Sequence, residues 1–378
     1  MPSSELDVVI ACNFPRDETL GSSRVPLRLI AELSKMGVAV SAIFADDLPS
    51  VPPGRLDHLT APFRMASVLA TKARRAHVVD IAGFDAWAYA RFARHRRAGQ
   101  AVVSRSNGLW YRALDADGES QSGQVRRLAS RVFQKHVFCR WERTSITYSH
   151  FALFGSRPDR DDVVGVGWKS ASETAVIHPG VDEFFLSPVP LEARDGVAFA
   201  GTFFRRKGSD VLAAAMSRVM RDRPNLTLTL FGAGVPAPLV ISEFEPAIRN
   251  RVKVVEALPA TELARQLGRH AVFLFPTRYE GFGIVVLEAM RAGLAVVTTP
   301  TGAGNDIVVH DENGLLVPIG AVDETAAAVA RLVDDSPLRI RLARAAIKDA
   351  EGRSWAKAAS ALTDAYAQAR RLAGSRRR

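Results

Sequence analysis

The chain has 378 residues, 47% of them hydrophobic and 24% charged, with a net charge of +10. This is the composition of a globular protein large enough for two domains; it excludes a low-complexity chain, and no apolar window reaches membrane-spanning length. Only two cysteines, Cys12 and Cys139, and an acidic amino terminus point to a reducing cytoplasm rather than secretion.

In chain order, Val8 to Ala11 predicts a strand and Cys12 to Ser23 a polar loop containing Gly21 and Ser22. A helix from Arg24 to Met36 follows, with Val25, Leu29, Ile30 and Leu33 inward, and then a strand from Val38 to Phe44. The loop of this βαβ unit lies where a phosphate can sit; the alternative is an ordinary βα turn. Val51 to Gly54 is a Pro-rich turn. His77 to Ile81, Ala86 to Arg97 and Ala101 to Ser104 read as strand, helix and strand, leading into Arg105-Ser106-Asn107-Gly108. Asn107 can donate and accept hydrogen bonds but cannot take a proton; its plainer reading is a turn-closing residue.

The most basic helix is expected over Gln124 to Arg143, with Val125, Leu128, Val132 and Val137 on one stripe. Arg126, Arg127, Arg131, Lys135 and Arg140 fall on its other side. More cations precede it, at Arg64, Lys72, Arg74 and Arg75 and at Arg91, Arg94, Arg96 and Arg97. Two readings stay open, a solvated face or contact with an anionic membrane. Nucleic acid is not expected, since no stacking aromatics are interleaved and no RNA or DNA module occurs. Ile146 to Ser149 and Ala175 to His178 read as strands. Phe185 to Gly196 contains proline and lacks periodicity, so it reads as a linker between domains over 1–184 and 197–353.

The second domain opens with a strand from Val197 to Ala200. Gly201-Thr202-Phe203-Phe204-Arg205-Arg206-Lys207-Gly208 and a helix from Ser209 to Met220 come next. Like charges about 4 Å apart repel by ~4 kcal/mol when partly buried, so these three cations suit a diphosphate; the alternative is a basic surface turn. Leu226 to Phe231 is a strand leading into Gly232-Ala233-Gly234, a weak nucleotide signal without a third glycine. Val252 to Val255 and Ala260 to Gly268 give a strand and a helix. Val272 to Phe275 is a strand ending at Pro276, followed by a turn from Thr277 to Gly283, a helix from Ile284 to Ala292 and a strand from Leu294 to Val297. That turn lies at a strand's carboxyl end beside a helix amino terminus, where anionic ligands bind.

Glu280 lies in the turn and Glu288 in the helix among apolar neighbours. A buried carboxylate needs a partner, and sugar hydroxyls would satisfy both acids without a metal. The plainer reading is a helix-cap acid and a solvated helix residue. Thr301 to Ile307 is a second glycine-rich loop, and helices follow over Val322 to Val333, Pro337 to Ala350 and Trp355 to Arg371. The tail from Ser375 to Arg378 is expected to be disordered. No cluster of residues has metal-ligand spacing.

Glu280 and Glu288 form an E-x7-E pattern with Gly281-Phe282-Gly283 and the ending Asn313-Gly314-Leu315-Leu316-Val317-Pro318. Together these resemble the donor-binding half of family 4 retaining glycosyltransferases. The resemblance implies an α/β GT-B fold, two Rossmann-like domains with parallel sheets facing a central cleft, and a last helix (354–373) crossing back to the first domain. It implies metal-independent, cofactor-free transfer of a hexose from a UDP- or GDP-type nucleotide sugar. The acceptor would be a glycan or lipid-linked hydroxyl in cell-surface glycan, glycolipid or glycoconjugate synthesis. The leaving phosphate would take the acceptor proton, with retention of configuration.

By the same resemblance, Glu280 holds sugar hydroxyls, Glu288 the ribose and Lys207 the phosphates. Thr202 stands where the family has an arginine, so Arg205 or Arg206 would substitute. Gly21 and Ser22 would touch the diphosphate and acceptor, Ser22 replacing a glycine. The loop ending at Leu258 would lie near the base, with Gly232 and Gly234 in a turn close to the nucleotide. Asn107 stands where many relatives carry a histidine. The backbone of Gly281, Phe282, Gly283, Ile284 and Val285 would meet the leaving phosphate. Two alternatives remain, a nucleotide-sugar epimerase of the same fold and a non-catalytic binder of nucleotide sugars or polyanions. Donor consumption without acceptor marks the first, and salt-sensitive polyanion binding the second. The expected location is the cytoplasm, with a peripheral site at the inner membrane face left open.

Overall fold

The computed structural model describes residues 6–51, 55–93, 99–117 and 124–375, with the side chains of 55, 56, 93 and 124–132 outside that description. Most of the expected turn at 51–54, the cations Arg94, Arg96 and Arg97, the side-chain stripe over 124–132 and the tail beyond Ser375 therefore lie outside the described residues. The chain divides into two compact units. The first comprises Met1–Leu114, Ser120–Gly180 and Trp355–Arg378, and the second Asp115–Glu119 and Val181–Ser354.

Each unit is built on a six-stranded parallel sheet. In the first, β1 (Asp7–Ala11), β2 (Ala39–Ile43), β3 (Val78–Ala82), β4 (Ala101–Arg105), β5 (Phe151–Phe154) and β6 (Thr174–Val176) lie in the order β2-β1-β3-β4-β5-β6. In the second, β7 (Asp195–Ala200), β8 (Leu228–Phe231), β9 (Val252–Val255), β10 (His270–Phe275), β11 (Ala295–Thr298) and β12 (Leu315–Leu316) lie in the order β12-β11-β10-β7-β8-β9. Strands covered by helices on both faces read as near-continuous apolar runs, as β10 does with His-Ala-Val-Phe-Leu-Phe. Val197, Phe199, Leu230, Val272, Leu274, Leu287 and Val296 are all fully buried in the second unit's core.

Several elements differ from expectation. The first helix runs Gly21–Lys35, so Gly21 and Ser22 are its first residues and not part of a loop. The carbonyl of Leu20 accepts from the N–H groups of Ser23 (3.0 Å) and Arg24 (2.9 Å), which closes the first turn early. The basic helix runs Gln124–Tyr148 and takes up Ile146–Tyr148, where a strand is expected; the strand is Phe151–Phe154. A three-residue apolar run fits either state. Here Lys169 Nζ donates to the carbonyls of Thr147 (3.4 Å) and Ser149 (2.5 Å), a cation at the helix carboxyl end. Helices at Arg55–Lys72, Trp110–Asp117 and Arg157–Gly165 are found only in the structure.

The last helix, Trp355–Ser375, packs within the first unit through one buried polar cluster. Tyr366 Oη donates to Asp80 Oδ2 at 2.5 Å, and Arg105 forms an ion pair with the same carboxylate. Arg105 also donates to Tyr366 Oη at 3.2 Å. All three side chains are buried, so each polar group finds its partner inside the protein.

Candidate functional site

In the second sheet the chain runs β7, β8, β9 to one side and then returns to place β10 against the other side of β7. The loops leaving β7 and β10 therefore diverge from neighbouring strands at their carboxyl ends. This is the switch point of an open α/β sheet, where ligands bind.

The loop after β7 holds Thr202 and a short 3-10 turn, Arg205–Lys207, that ends at Gly208 before the helix Ser209–Arg221. Gly208 has φ +75°, and a Cβ there would collide with the carbonyl of Pro276. Only glycine lets the two loops approach this closely. The loop after β10 runs from Pro276 to Gly283, whose φ of +81° starts the helix Ile284–Ala292; Gly293 ends it. Lys207 Nζ reaches across to Glu280 Oε1, and lies 5.4 Å above the centre of the Phe275 ring.

A second set of contacts joins the loops through backbone. The Arg278 N–H donates to the Arg206 carbonyl at 2.7 Å, and its guanidinium donates to the Arg205 carbonyl at 3.0 Å. The same guanidinium grips both carboxylate oxygens of Asp210 at 2.6 and 2.9 Å. Thr277 Oγ1 lies 3.0 Å from the Arg206 carbonyl and 3.3 Å from Glu280 Oε1. Thr277, Arg278 and Asp210 were not singled out in the sequence, because Asp210 and Arg278 meet only once β7 and β10 pair.

Glu280 is 8% exposed and Glu288 2% exposed, the latter inside the helix Ile284–Ala292. The buried Nε of Arg206 makes no hydrogen bond but lies 3.7 Å from Asp117 Oδ1 as an ion pair, while Arg205 is exposed. The segment expected as a second glycine-rich loop, Thr301–Ile307, folds from Ala303 as a short helix (Ala303–Ile307) and supports the Gly281–Gly283 turn: Ala303 N–H donates to the Phe282 carbonyl at 2.6 Å. Gly232 (φ +67°) and Gly234 (φ +71°) follow β8, and the Gly232 N–H donates to Val255 O at 2.9 Å. Thr202 packs beside Gly234, and Leu258 lies after β9, half-buried. Lys207, Arg206, Thr202, Gly232, Gly234, Leu258, Glu280 and the Gly281–Val285 segment thus follow four adjacent strands at one edge of this sheet.

Gly21, Ser22 and Asn107 belong to the first unit. Asn107 is exposed in the turn after β4, where Gly108 N–H donates to Ser106 Oγ at 3.2 Å. This sheet has its own switch point between β1 and β3. Cys12 follows β1, and burial pushes its thiol up to about 11. Asp85 closes the turn after β3; burial raises its carboxyl to about 7 against the pull of Arg64. Glu142 accepts the Trp110 N–H at 2.8 and 3.0 Å, and burial raises it to about 8. Among the described residues, no group of three or more His, Cys, Asp or Glu could hold a metal.

Residues 194–335, which include the whole of the β7–β10 site, match the family model described as "Glycosyl transferases group 1". The D-inositol 3-phosphate glycosyltransferase of Xylanimonas cellulosilytica is 29% identical over 253 residues, covering 60% of this chain and 59% of that protein's length. Sucrose-phosphate synthase from Thermosynechococcus elongatus matches with a TM-score of 0.76 at 19% identity, covering 96% of this chain and 98% of that one. HepE from Anabaena, solved in complex with UDP and glucose, matches with a TM-score of 0.64 at 18% identity, covering 95% and 98%. The fold is GT-B, with two Rossmann-like α/β units.

Proposed function

We propose that the chain is a glycosyltransferase that moves a sugar from a nucleotide-diphosphate donor, held by the second unit, to an acceptor hydroxyl. The observation that carries this reading is the Lys207–Glu280 pair, a cation and a carboxylate joined at the switch point beside a helix amino terminus. Breaking the bond from the anomeric carbon to phosphate builds positive charge on carbon and negative charge on the leaving diphosphate. Fixed donors aimed at that charge lower the barrier. Lys207 and Arg206 supply side-chain donors, and Gly283 to Val285 supply backbone N–H groups. Glu280 takes sugar hydroxyls and Glu288 the ribose, which places carboxylates where hydroxyl donors arrive. Gly21, Ser22 and Asn107 are assigned to the acceptor side. Retention of configuration, independence of metal and transfer of the acceptor proton to the leaving phosphate complete the reading.

Two lines of support stand beside the geometry. The family match covers the proposed donor site, and HepE was solved with UDP and glucose. The test is incubation with UDP-, GDP- and ADP-sugars, with and without glycan acceptors and with and without EDTA, read by mass spectrometry. The reading expects a sugar to appear on an acceptor, with nucleoside diphosphate released and EDTA without effect. Isomerisation of a donor in the absence of acceptor would assign an epimerase, and survival of every donor would contradict the reading.

A further inference from the structure

We infer that one face of the first unit, formed by the helices Arg55–Lys72, Ala86–Ala93 and Gln124–Tyr148, docks on an anionic lipid bilayer. Helix Ala86–Ala93 packs between the other two. Each helix presents one conspicuous phenylalanine: Phe63 is 53% exposed, Phe92 55% and Phe133 41%.

These rings belong to one network. Phe63 meets Trp87 edge-on at 5.2 Å, and Phe92 lies 6.3 Å from the same indole. Trp87 stacks on Trp141 at 5.4 Å, Trp141 lies 5.7 Å from Phe138, and Phe133 meets Phe138 edge-on at 6.1 Å. Aromatic residues that look scattered in the sequence are thus gathered by the fold. A single exposed ring is ordinary, but three on one supported cluster form an apolar patch.

The sequence in and just after these helices is basic. Residues 55–75, 86–97 and 124–143 hold fifteen Lys and Arg against two acids, Asp57 and Glu142. Their excess of +13 exceeds the whole chain's +10, so the remainder is net negative. Among these cations, Lys72, Arg74, Arg75, Arg91, Lys135 and Arg140 are exposed. A charge run alone is a solvated face. Basic groups around protruding aromatics are the pattern of an interfacial surface, cations meeting lipid phosphates while rings enter the headgroup boundary.

Other occupants fit less well. A second copy of this face would bring like charge against like. Among the described residues no helix is long and apolar enough to cross a membrane, so the contact is peripheral.

The test is co-sedimentation of the full chain with vesicles of equal parts phosphatidylcholine and phosphatidylglycerol, and with phosphatidylcholine alone. The mixed vesicles should bring the protein down and the neutral ones should not. Phe63→Ser/Phe92→Ser should lower binding by about tenfold or more while leaving heparin binding unchanged. Lys72→Glu/Arg74→Glu should lower both. Thermal unfolding should show every variant folded at the assay temperature, with the phenylalanine variant's transition lowered only by its lost contacts with Trp87. Equal sedimentation with both vesicle types, none with either, or parental vesicle binding by the phenylalanine variant would overturn the inference. Self-association that the phenylalanine variant abolishes would overturn it too, by assigning the face to a second copy.

Discussion

Lys207 and Glu280 stand 73 residues apart in the chain and meet as an ion pair, each on the loop that leaves one of two neighbouring strands. Both side chains are mostly buried, so removing either partner leaves the other charge poorly solvated.

Glu280→Gln and Lys207→Met should each lower sugar transfer by about a hundredfold or more, the usual loss when one fixed transition-state contact is removed. The double variant Lys207→Met/Glu280→Gln should be at least as stable as the less stable single, because no lone charge is left behind. Transfer rates with urea unfolding of the three variants check this. A fully active single variant would remove the pair from the chemistry.

Arg278 ties the Arg205 and Arg206 carbonyls to Asp210. Arg278→Lys loses the two-point grip on Asp210, because an ammonium cannot reproduce the planar fork. The expected result is a roughly tenfold fall in kcat/KM, since misplacing a neighbouring group by about 1 Å is that costly or worse. Asp210→Asn should reproduce part of the loss. Steady-state kinetics with donor varied are the measurement, and unchanged kinetics in both variants would show that the turn holds itself.

Tyr366 fastens the last helix to Asp80 and Arg105 inside the first unit. Tyr366→Phe keeps the ring and leaves a buried carboxylate one donor short. A loss of about 1–3 kcal/mol in unfolding free energy is expected. Denaturant titration measures it, and a change within a few tenths of a kcal/mol would contradict the assigned role.

Glu142 and Asp85 set a pH dependence of known sign. Burial raises them from 4.5 to about 8 and from 3.8 to about 7. The folded chain keeps these protons where the unfolded chain releases them, so stability is fullest below the unfolded values. It falls as pH rises, through about 7 for Asp85 and about 8 for Glu142, by about 1.4 kcal/mol per pH unit per group. Glu142→Gln retains an acceptor for the Trp110 N–H and cannot ionise. The variant should therefore lose less stability between about pH 5 and 8, as read by chemical unfolding across that range.

Much of the second unit was legible because glycine and proline punctuate it. The helix Ile284–Ala292 begins after Gly283 and ends at Gly293, and β10 stops at Pro276, so both bounds are written locally. In the first unit, Ile146–Tyr148 reads as a strand because a short apolar run fits two states, and Gly21 reads as loop although it opens a helix. The Arg278–Asp210 contact and the Tyr366–Asp80–Arg105 cluster join residues distant in the chain, and only strand order brings them together. The aromatic network was hidden for the same reason, since its rings come from three helices.

The most direct test of the donor site is titration calorimetry of UDP, GDP and ADP into the full chain and into Lys207→Ala. At least one nucleoside diphosphate should bind the parent protein, with affinity falling roughly ten- to a hundredfold in the variant, as expected for a lost hydrogen bond to a charged group. If no nucleotide binds, or if the variant binds as tightly as its parent, the second unit does not hold its donor in this way.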